Sequence, residues 1–330
     1  MILALETSCD DTCAAVITGE GEVRSNVISS QGVHDRFGGV VPEIASRHHL
    51  ELTSAVVDDA LARADCGLDD VELVAVTQGP GLVGALLVGV AAATGLAAAR
   101  GLPLAAVDHL QGHVAANFLA VGGPAFAPPF VCLLASGGHT FLARVDDHHG
   151  FTVLGQTLDD AAGEAFDKGA RMLGLPYPGG PHLERLAAGG DPAAFSFPVA
   201  ARLAGLDFSF AGLKTSLLYK LRDLGEAEVD RHRADLAAAY QHAIVEALAQ
   251  RAALALQHTG LTRLAAGGGV AANGALRERL AGLGAQLHVP PRELCTDNAA
   301  MIASAARFAA PVPYPAYLGI DAYATGQRRL

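Results

Sequence analysis

Residues 2–17 read ILALETSCDDTCAAVI, and residues 130–145 read FVCLLASGGHTFLARV. Each stretch is an apolar run, a short polar turn and a second apolar run. That is the pattern of two buried strands joined by a tight turn. The turns are ETSCDDT and ASGGHT, and the two stretches begin 128 residues apart (130 − 2), close to one domain length. A tight turn of small residues presents its backbone N–H groups as a nest for anions. The pattern alone leaves two readings open: a duplicated unit with a phosphate-type turn in each copy, or two unrelated hairpins.

The chain has 330 residues, 51% hydrophobic and 17% charged, which suits two domains, or one large domain with two lobes, around sizeable cores. That composition does not indicate disorder. A net charge of −11 does not advertise nucleic-acid binding, so a nucleic-acid substrate would need a local patch or a partner. The five cysteines, 9, 13, 66, 132 and 295, form no CxxC pair and read as reduced cytosolic thiols, with Cys9-x-x-x-Cys13 only a weak metal spacing. The N-terminus MILALETSCDD lacks a basic n-region and does not read as a signal peptide. Residues 73–99 carry no charge and are long enough to span a bilayer, but Gly79-Pro80-Gly81 interrupts them. LVAVTQ before the break predicts a buried strand. LVGALLVGVAAATGLAAA after it predicts a helix whose small residues pack it on a sheet in a soluble core.

Further along, DLAAAYQHAIVEALAQRAALALQHTG predicts a long helix closed by Gly260. LTRLAAGGGVAANGALRERLAGL predicts strand, glycine turn and helix, with Asn273 near the helix start. CTDNAAMIASAARFA predicts a helix entered through Thr296, Asp297 and Asn298, where Asp297 has an ordinary alternative as a cap. Lobe boundaries are expected near 120–129 and near 295. In VDHLQGH, residues 107–113, two histidines sit four apart, which puts both imidazoles on one helix face. A metal pair and two ordinary histidines both remain open on spacing alone.

LETSCDDT, GGVVPEIASRHH, GPGLVGALLVG, HLQGH, LLASGGHT, DDAAGEAFDKGARMLGLPYPGGP, GLDFSFAGLKT, GGGVAAN and CTDNAAMIA occur in that order, from about residue 2 to about residue 310. Together they resemble the tRNA threonylcarbamoyladenosine transferases, once called O-sialoglycoprotein endopeptidases. The resemblance implies an α/β, actin-like and sugar-kinase-like (ASKHA) fold, duplicated and two-lobed, with a nucleotide cleft between the lobes. The lobes are expected at 1–125, completed by 298–330, and at 126–297. The implied reaction moves the threonylcarbamoyl group of threonylcarbamoyl-AMP to the N6 amine of the adenosine 3′ of the anticodon, in tRNAs reading codons that start with A.

The resemblance also assigns residues. His109, His113 and Asp297 are implied ligands of one divalent metal, a set suited to Fe(II) and compatible with Zn or Mg. Leu134, Ala135, Ser136, Gly137 and Gly138 are implied contacts of the acyl-adenylate, Asp167 and Gly180 of its ribose or adenine, and Asn273 of the adenine. Glu184 either assists there or is a solvated surface glutamate. Asp10 and Asp11 in the first turn, and His139 after the second, are the candidate catalytic groups, with turn chemistry and a strand-end histidine as the alternatives. Lys214 is a candidate phosphate or tRNA contact.

Two departures stand out. Gln111 replaces the usual glutamate and cannot carry a proton near neutral pH, so a protease mechanism lacks its general base. The chain ends DAYATGQRRL where relatives commonly have a Pro-Arg-Trp type tail; if that segment helps tRNA docking, Arg328 and Arg329 are the candidates to replace it. Implied partners are tRNA, a degenerate paralogue of the same fold and a small P-loop ATPase, with a separate synthase supplying the acyl-adenylate. The setting is cytoplasmic, without a membrane. A small-molecule kinase of the same fold and a non-catalytic scaffold paralogue are the competing readings.

Overall fold

The computed structural model describes residues 1–37, 39–123, 125–199 and 203–324; Arg328 and Arg329 lie outside them. In chain order the elements are β1 (Ile2–Glu6), β2 (Asp11–Ile17), β3 (Val23–Ser30), α1 (Pro42–Arg63), β4 (Leu73–Gly79), α2 (Val83–Arg100), β5 (Leu104–Asp108) and α3 (His109–Ala115). Then come β6 (Phe130–Ala135), β7 (Thr140–Val145), β8 (Thr152–Gln156), α4 (Ala162–Met172), α5 (Gly179–Ala187), α6 (Ala211–Leu224), α7 (Glu226–Arg231) and α8 (Arg233–Thr259). The last are β9 (Arg263–Gly267), α9 (Gly274–Ala281), β10 (Gln286–His288), α10 (Arg292–Cys295) and α11 (Ala299–Ala306).

The two apolar hairpins each seed a sheet. The first sheet runs β3-β2-β1-β4-β5 and the second β8-β7-β6-β9-β10. β1 pairs antiparallel with β2 and parallel with β4. β6 pairs antiparallel with β7 and parallel with β9 in the same way. The hairpins therefore occupy the same topological place in two copies of one unit, which removes the unrelated-hairpin reading. The chain divides into one unit of residues 1–128, 147–150 and 296–330, and another of 129–146 and 151–295.

Continuous apolar runs form the central strands because these are covered on both faces. All of β1 and all of β6 are buried. α8 ends where Gly260 adopts φ +68°, a left-handed cap that glycine takes without strain. α2 buries Ala85, Leu86, Gly89, Val90, Ala93 and Ala97. Its other face departs from the expected core helix: Val83 and Leu87 are exposed. α2 is also long and apolar enough to cross a membrane. The five cysteines are free thiols.

Candidate metal centre and substrate turn

Asp108, the last residue of β5, caps the helix that follows. Its Oδ1 accepts the N–H groups of Leu110 at 2.9 Å and Gln111 at 3.0 Å. α3 therefore starts at His109 and places His113 one turn further on the same face. Gly112 lets α11 approach closely: a Cβ there would stand 2.7 Å from Ile302 Cδ1 and 3.3 Å from Met301 Cγ. α11 is capped by Asn298, whose side chain accepts the N–H of Met301 at 2.9 Å. Asp297 is thereby released from the capping role that sequence left open.

His109 Nε2 and His113 Nε2 converge on one oxygen, Asp297 Oδ1, at 3.6 and 3.2 Å. One ligand atom from each residue lies within 4.8 Å of the others. Donors around a single ion at bonds of about 2.1 Å stand roughly 3.0–3.4 Å apart, so the set is near coordination geometry. His113 is 1% exposed at its side chain, yet neither ring nitrogen has hydrogen-bond geometry with a described residue. A buried imidazole whose nitrogens make no hydrogen bond is costly, and a cation would satisfy it. Two imidazoles and a carboxylate thus fit a divalent metal. The Cys9/Cys13 pair takes no part: Cys13 Sγ donates to the Asp297 backbone carbonyl at 3.7 Å, and burial raises both thiols.

Glu6 is the residue that sequence reasoning missed. It closes β1, fully buried, with Oε2 at 2.9 Å from His109 Nδ1. Thr77 Oγ1 donates to the same oxygen at 2.6 Å, and the Ser8 N–H donates to Oε1 at 2.5 Å. Holding the Nδ1 proton on the carboxylate side leaves Nε2, beside Asp297, as the nitrogen that would give up its proton to a metal, the carboxylate–histidine–metal arrangement. Burial opposes charge on both groups, but each outweighs it for the other. Glu6 is held below the usual carboxylate range, and Glu6 with Asp297 raises His109 to about 9. The only early signal was a glutamate ending an otherwise apolar strand.

The first turn is pinned from below. His49 Nε2 donates to the Cys9 carbonyl at 3.0 Å, which leaves Nδ1 to accept the Thr12 hydroxyl at 2.8 Å. Asp10 and Asp11 follow on this turn. Burial pushes Asp11 up to about 6, with Asp297, Asp10 and Glu6 adding to it against a Ser30 hydrogen bond.

In the other unit, Ser136–His139 is a tight turn: the Ser136 N–H donates to His139 O at 2.8 Å, and the His139 N–H to Ser136 Oγ at 3.1 Å. Gly137 and Gly138 are exposed with open space around them. Leu134 and Ala135 are buried strand residues, so only their backbone can face a ligand. Gly163, at the start of α4, donates its N–H to Ser136 O at 3.0 Å, and a Cβ there would stand 2.6 Å from that oxygen. The turn thus meets a helix N-terminus, a favourable setting for an anion.

On α4, Asp167 Oδ1 accepts the N–H groups of Gly179 at 2.7 Å and Gly180 at 3.3 Å, which brings two expected residues together. Burial raises its carboxyl against these amides. Glu184 is half-buried, not a solvated surface residue: its Oε1 accepts the Gly274 N–H at 2.7 Å. Asn273 caps α9 through the Leu276 N–H and donates to Gln241 Oε1 at 2.9 Å. Lys214 is paired with Asp160 at 3.4 Å.

Solved structures with this arrangement share little sequence. HypF from T. kodakarensis superposes with a TM-score of 0.61 at 14% identity, over 92% of this chain and 47% of that one. Component A of the (R)-2-hydroxyglutaryl-CoA dehydratase of Acidaminococcus fermentans gives 0.55 at 14%, over 93% and 95%. With the duplicated strand order, these define an actin-like α/β protein, here carrying a His-His-Asp centre.

Residues 22–304 match the family model described as tRNA N6-adenosine threonylcarbamoyltransferase. The protein of that name from Moorella thermoacetica is 53% identical over 313 residues, 93% of this chain and 91% of its own length. That of Symbiobacterium thermophilum is 51% identical over 310 residues, covering 92% and 90%. The chain belongs to the tRNA N6-adenosine threonylcarbamoyltransferase family, and its activity is transfer of a threonylcarbamoyl group to the N6 amine of adenosine in tRNA. Membership sets aside the kinase and protease readings.

Proposed function

We propose that the donor is threonylcarbamoyl-AMP and the acceptor the adenosine 3′ of the anticodon in tRNAs reading codons that start with A. His109, His113 and Asp297 hold one divalent metal, Fe(II) by the character of the donor set, which leaves positions open for substrate. When bound, the metal supplies Lewis-acid polarisation of substrate oxygens. The carrying observation is the convergence of both Nε2 atoms on Asp297 Oδ1, at 3.6 and 3.2 Å, with the His113 ring otherwise unpartnered among the described residues.

The open turn at Ser136, Gly137 and Gly138, abutting the α4 N-terminus, suits the adenylate phosphate through backbone N–H groups. Leu134 and Ala135 support that turn from β6. Asp167 and Gly180, with Glu184 and Asn273 beyond them, form the nucleoside side. In the reaction the N6 nitrogen attacks the acyl carbonyl carbon, the bond to the phosphate oxygen breaks, AMP leaves and one amine proton is lost. Asp11, raised to about 6, is suited to accept that proton, with Asp10 and His139 as the other groups at the two turns.

Partners are a degenerate paralogue of the same fold and a small P-loop ATPase, in the cytoplasm, with a separate synthase making the acyl-adenylate. The exposed, uncharged face of α2 around Val83 and Leu87 supports a protein partner. The test is incubation with threonylcarbamoyl-AMP, partners and unmodified tRNA, then nuclease digestion and mass spectrometry. Modified nucleoside is expected with the wild type and absent with His109→Ala. Equal product from both overturns the metal assignment.

A further inference from the structure

Tyr323 ties the C-terminal segment to the helix that carries both histidines. Its phenol donates to Asp108 Oδ2 at 2.7 Å. The other oxygen of that carboxylate is the α3 cap, holding the Leu110 and Gln111 N–H groups at 2.9 and 3.0 Å. Two more bonds fix the segment on β4. The Tyr323 N–H donates to Gln78 O at 3.2 Å, and Gln78 Nε2 donates to Asp321 O at 2.8 Å. The Tyr323 carbonyl and ring lie directly over Gly79, in space that a Cβ would fill. Gly79 is the register partner of Asp108 across β4 and β5.

The physical consequence follows from how short α3 is. It has 7 residues, and His109 comes immediately after the cap. A helix of two turns has little internal stiffness against a change at its first turn, so the direction of the Asp108 carboxylate sets where both Nε2 donors point. A carboxylate with one oxygen on the cap amides and the other on a phenol has a single orientation. With the phenol removed, only the two cap amides hold it, and Oδ2 loses its anchor on the C-terminal segment.

We propose that Tyr323 is a positioning residue for the metal centre, acting through Asp108 to fix α3 and with it the spacing of His109 and His113 from Asp297. This deepens the metal reading given above and rests on it. The C-terminal segment then belongs to the site's framework, although Tyr323 lies 26 residues beyond the last ligand (323 − 297).

The test uses the metal-stripped full chain and Co(II) as the probe, titrated anaerobically and followed by visible absorption, whose bands report ligand geometry. Tyr323→Phe removes only the hydroxyl. Asp108→Ser keeps a cap through its hydroxyl but has no second polar atom to meet Tyr323. The expected result for Tyr323→Phe is Co(II) binding weakened about tenfold, the lower end for second-layer contacts, with shifted bands. The unfolding midpoint of the metal-free protein stays within a few degrees of wild type. The double variant binds no more weakly than Asp108→Ser alone. Unchanged affinity and bands in Tyr323→Phe overturn the proposal, and so does full additivity of the two losses. No Co(II) binding by the wild type overturns the metal reading itself, and this inference with it.

Discussion

His109 Nδ1 stands 2.9 Å from Glu6 Oε2, and both side chains are buried. Their residues are 103 positions apart (109 − 6), joined only because β1 and β5 flank β4 in one sheet. The contact fixes which nitrogen of His109 faces Asp297, so Nε2 is the nitrogen for which a metal and a proton compete.

Glu6→Gln therefore weakens metal binding. The amide keeps the shape and can still accept from Thr77 or Ser8, but it loses the charge that makes His109 a stronger donor. Apparent Co(II) affinity of the stripped protein falls by about tenfold to a hundredfold. An affinity equal to wild type in the same titration removes Glu6 from the site.

The same pair sets a pH dependence. His109 is raised to about 9 because Glu6 and Asp297 outweigh the burial that opposes its charge. A raised histidine stabilises the metal-free fold fully below its unfolded value of about 6.5, and that contribution is lost as pH rises through about 9. A metal needs the bare nitrogen, so metal and proton compete. Metal affinity accordingly rises from pH 6 toward 9 and then levels. Isothermal titration in buffers of different ionisation enthalpy should show a proton released on binding near neutral pH; no release contradicts the assignment.

What was legible in the chain was local. The paired hairpins, the i, i+4 histidines and the glycine that ends α8 each show within a few residues, because turn chemistry and helical spacing act at that range. The strand order that makes the hairpins equivalent copies did not show, since sheet register is a tertiary property. Glu6 was hidden for the same reason: nothing near it in sequence says that Thr77 and His109 surround it. Asp297 was ambiguous because Asp, Asn and Thr are all good caps, and only the Asn298 bond to Met301 assigned that role. Glu184 looked solvated until the packing of α5 and α9 on α8 brought it to Gly274.

Gly112→Ala tests the close approach of α3 and α11. The new methyl meets Ile302 Cδ1 at 2.7 Å, the end of a flexible side chain, so the helices shift without unfolding. Overpacking of this kind costs about 1–3 kcal/mol, read as a lowered thermal midpoint. Adding Ile302→Val removes the clashing carbon and should recover most of both stability and metal affinity. A double variant no better than Gly112→Ala places the strain elsewhere.

Gln111→Glu leaves transfer activity within about tenfold of wild type, a change under roughly 1.4 kcal/mol. Gln111 Nε2 points to the His148 carbonyl at 3.5 Å, a long bond. A glutamate there turns a carboxylate toward a carbonyl oxygen and swings outward, since the side chain is only half-buried. Single-turnover assays with saturating tRNA measure the effect. A hundredfold rise would identify this chain as a weakened enzyme.

The isolated chain binds tRNA poorly, and its partners restore modification. Its net charge is −11, whereas neutralising cations supply most non-specific affinity for a phosphate backbone. Two of the chain's arginines already have acidic neighbours: Arg24 lies 4.0 Å from Glu22, and Arg47 pairs with Glu43 at 2.9 Å. Such exposed pairs are weak, but a phosphate must still compete with a carboxylate for each arginine. Arg36 stands on an exposed turn with Phe37 beside it, too little alone for a continuous patch. Filter-binding titrations at low and moderate salt, with and without the partners, give the measurement. Submicromolar binding by the isolated chain near physiological salt defeats the requirement for partners. Deleting residues 326–330 then reports whether Arg328 and Arg329 carry the contact. An unchanged salt slope after the deletion assigns binding to the folded body, and a slope reduced by about two assigns it to the tail arginines.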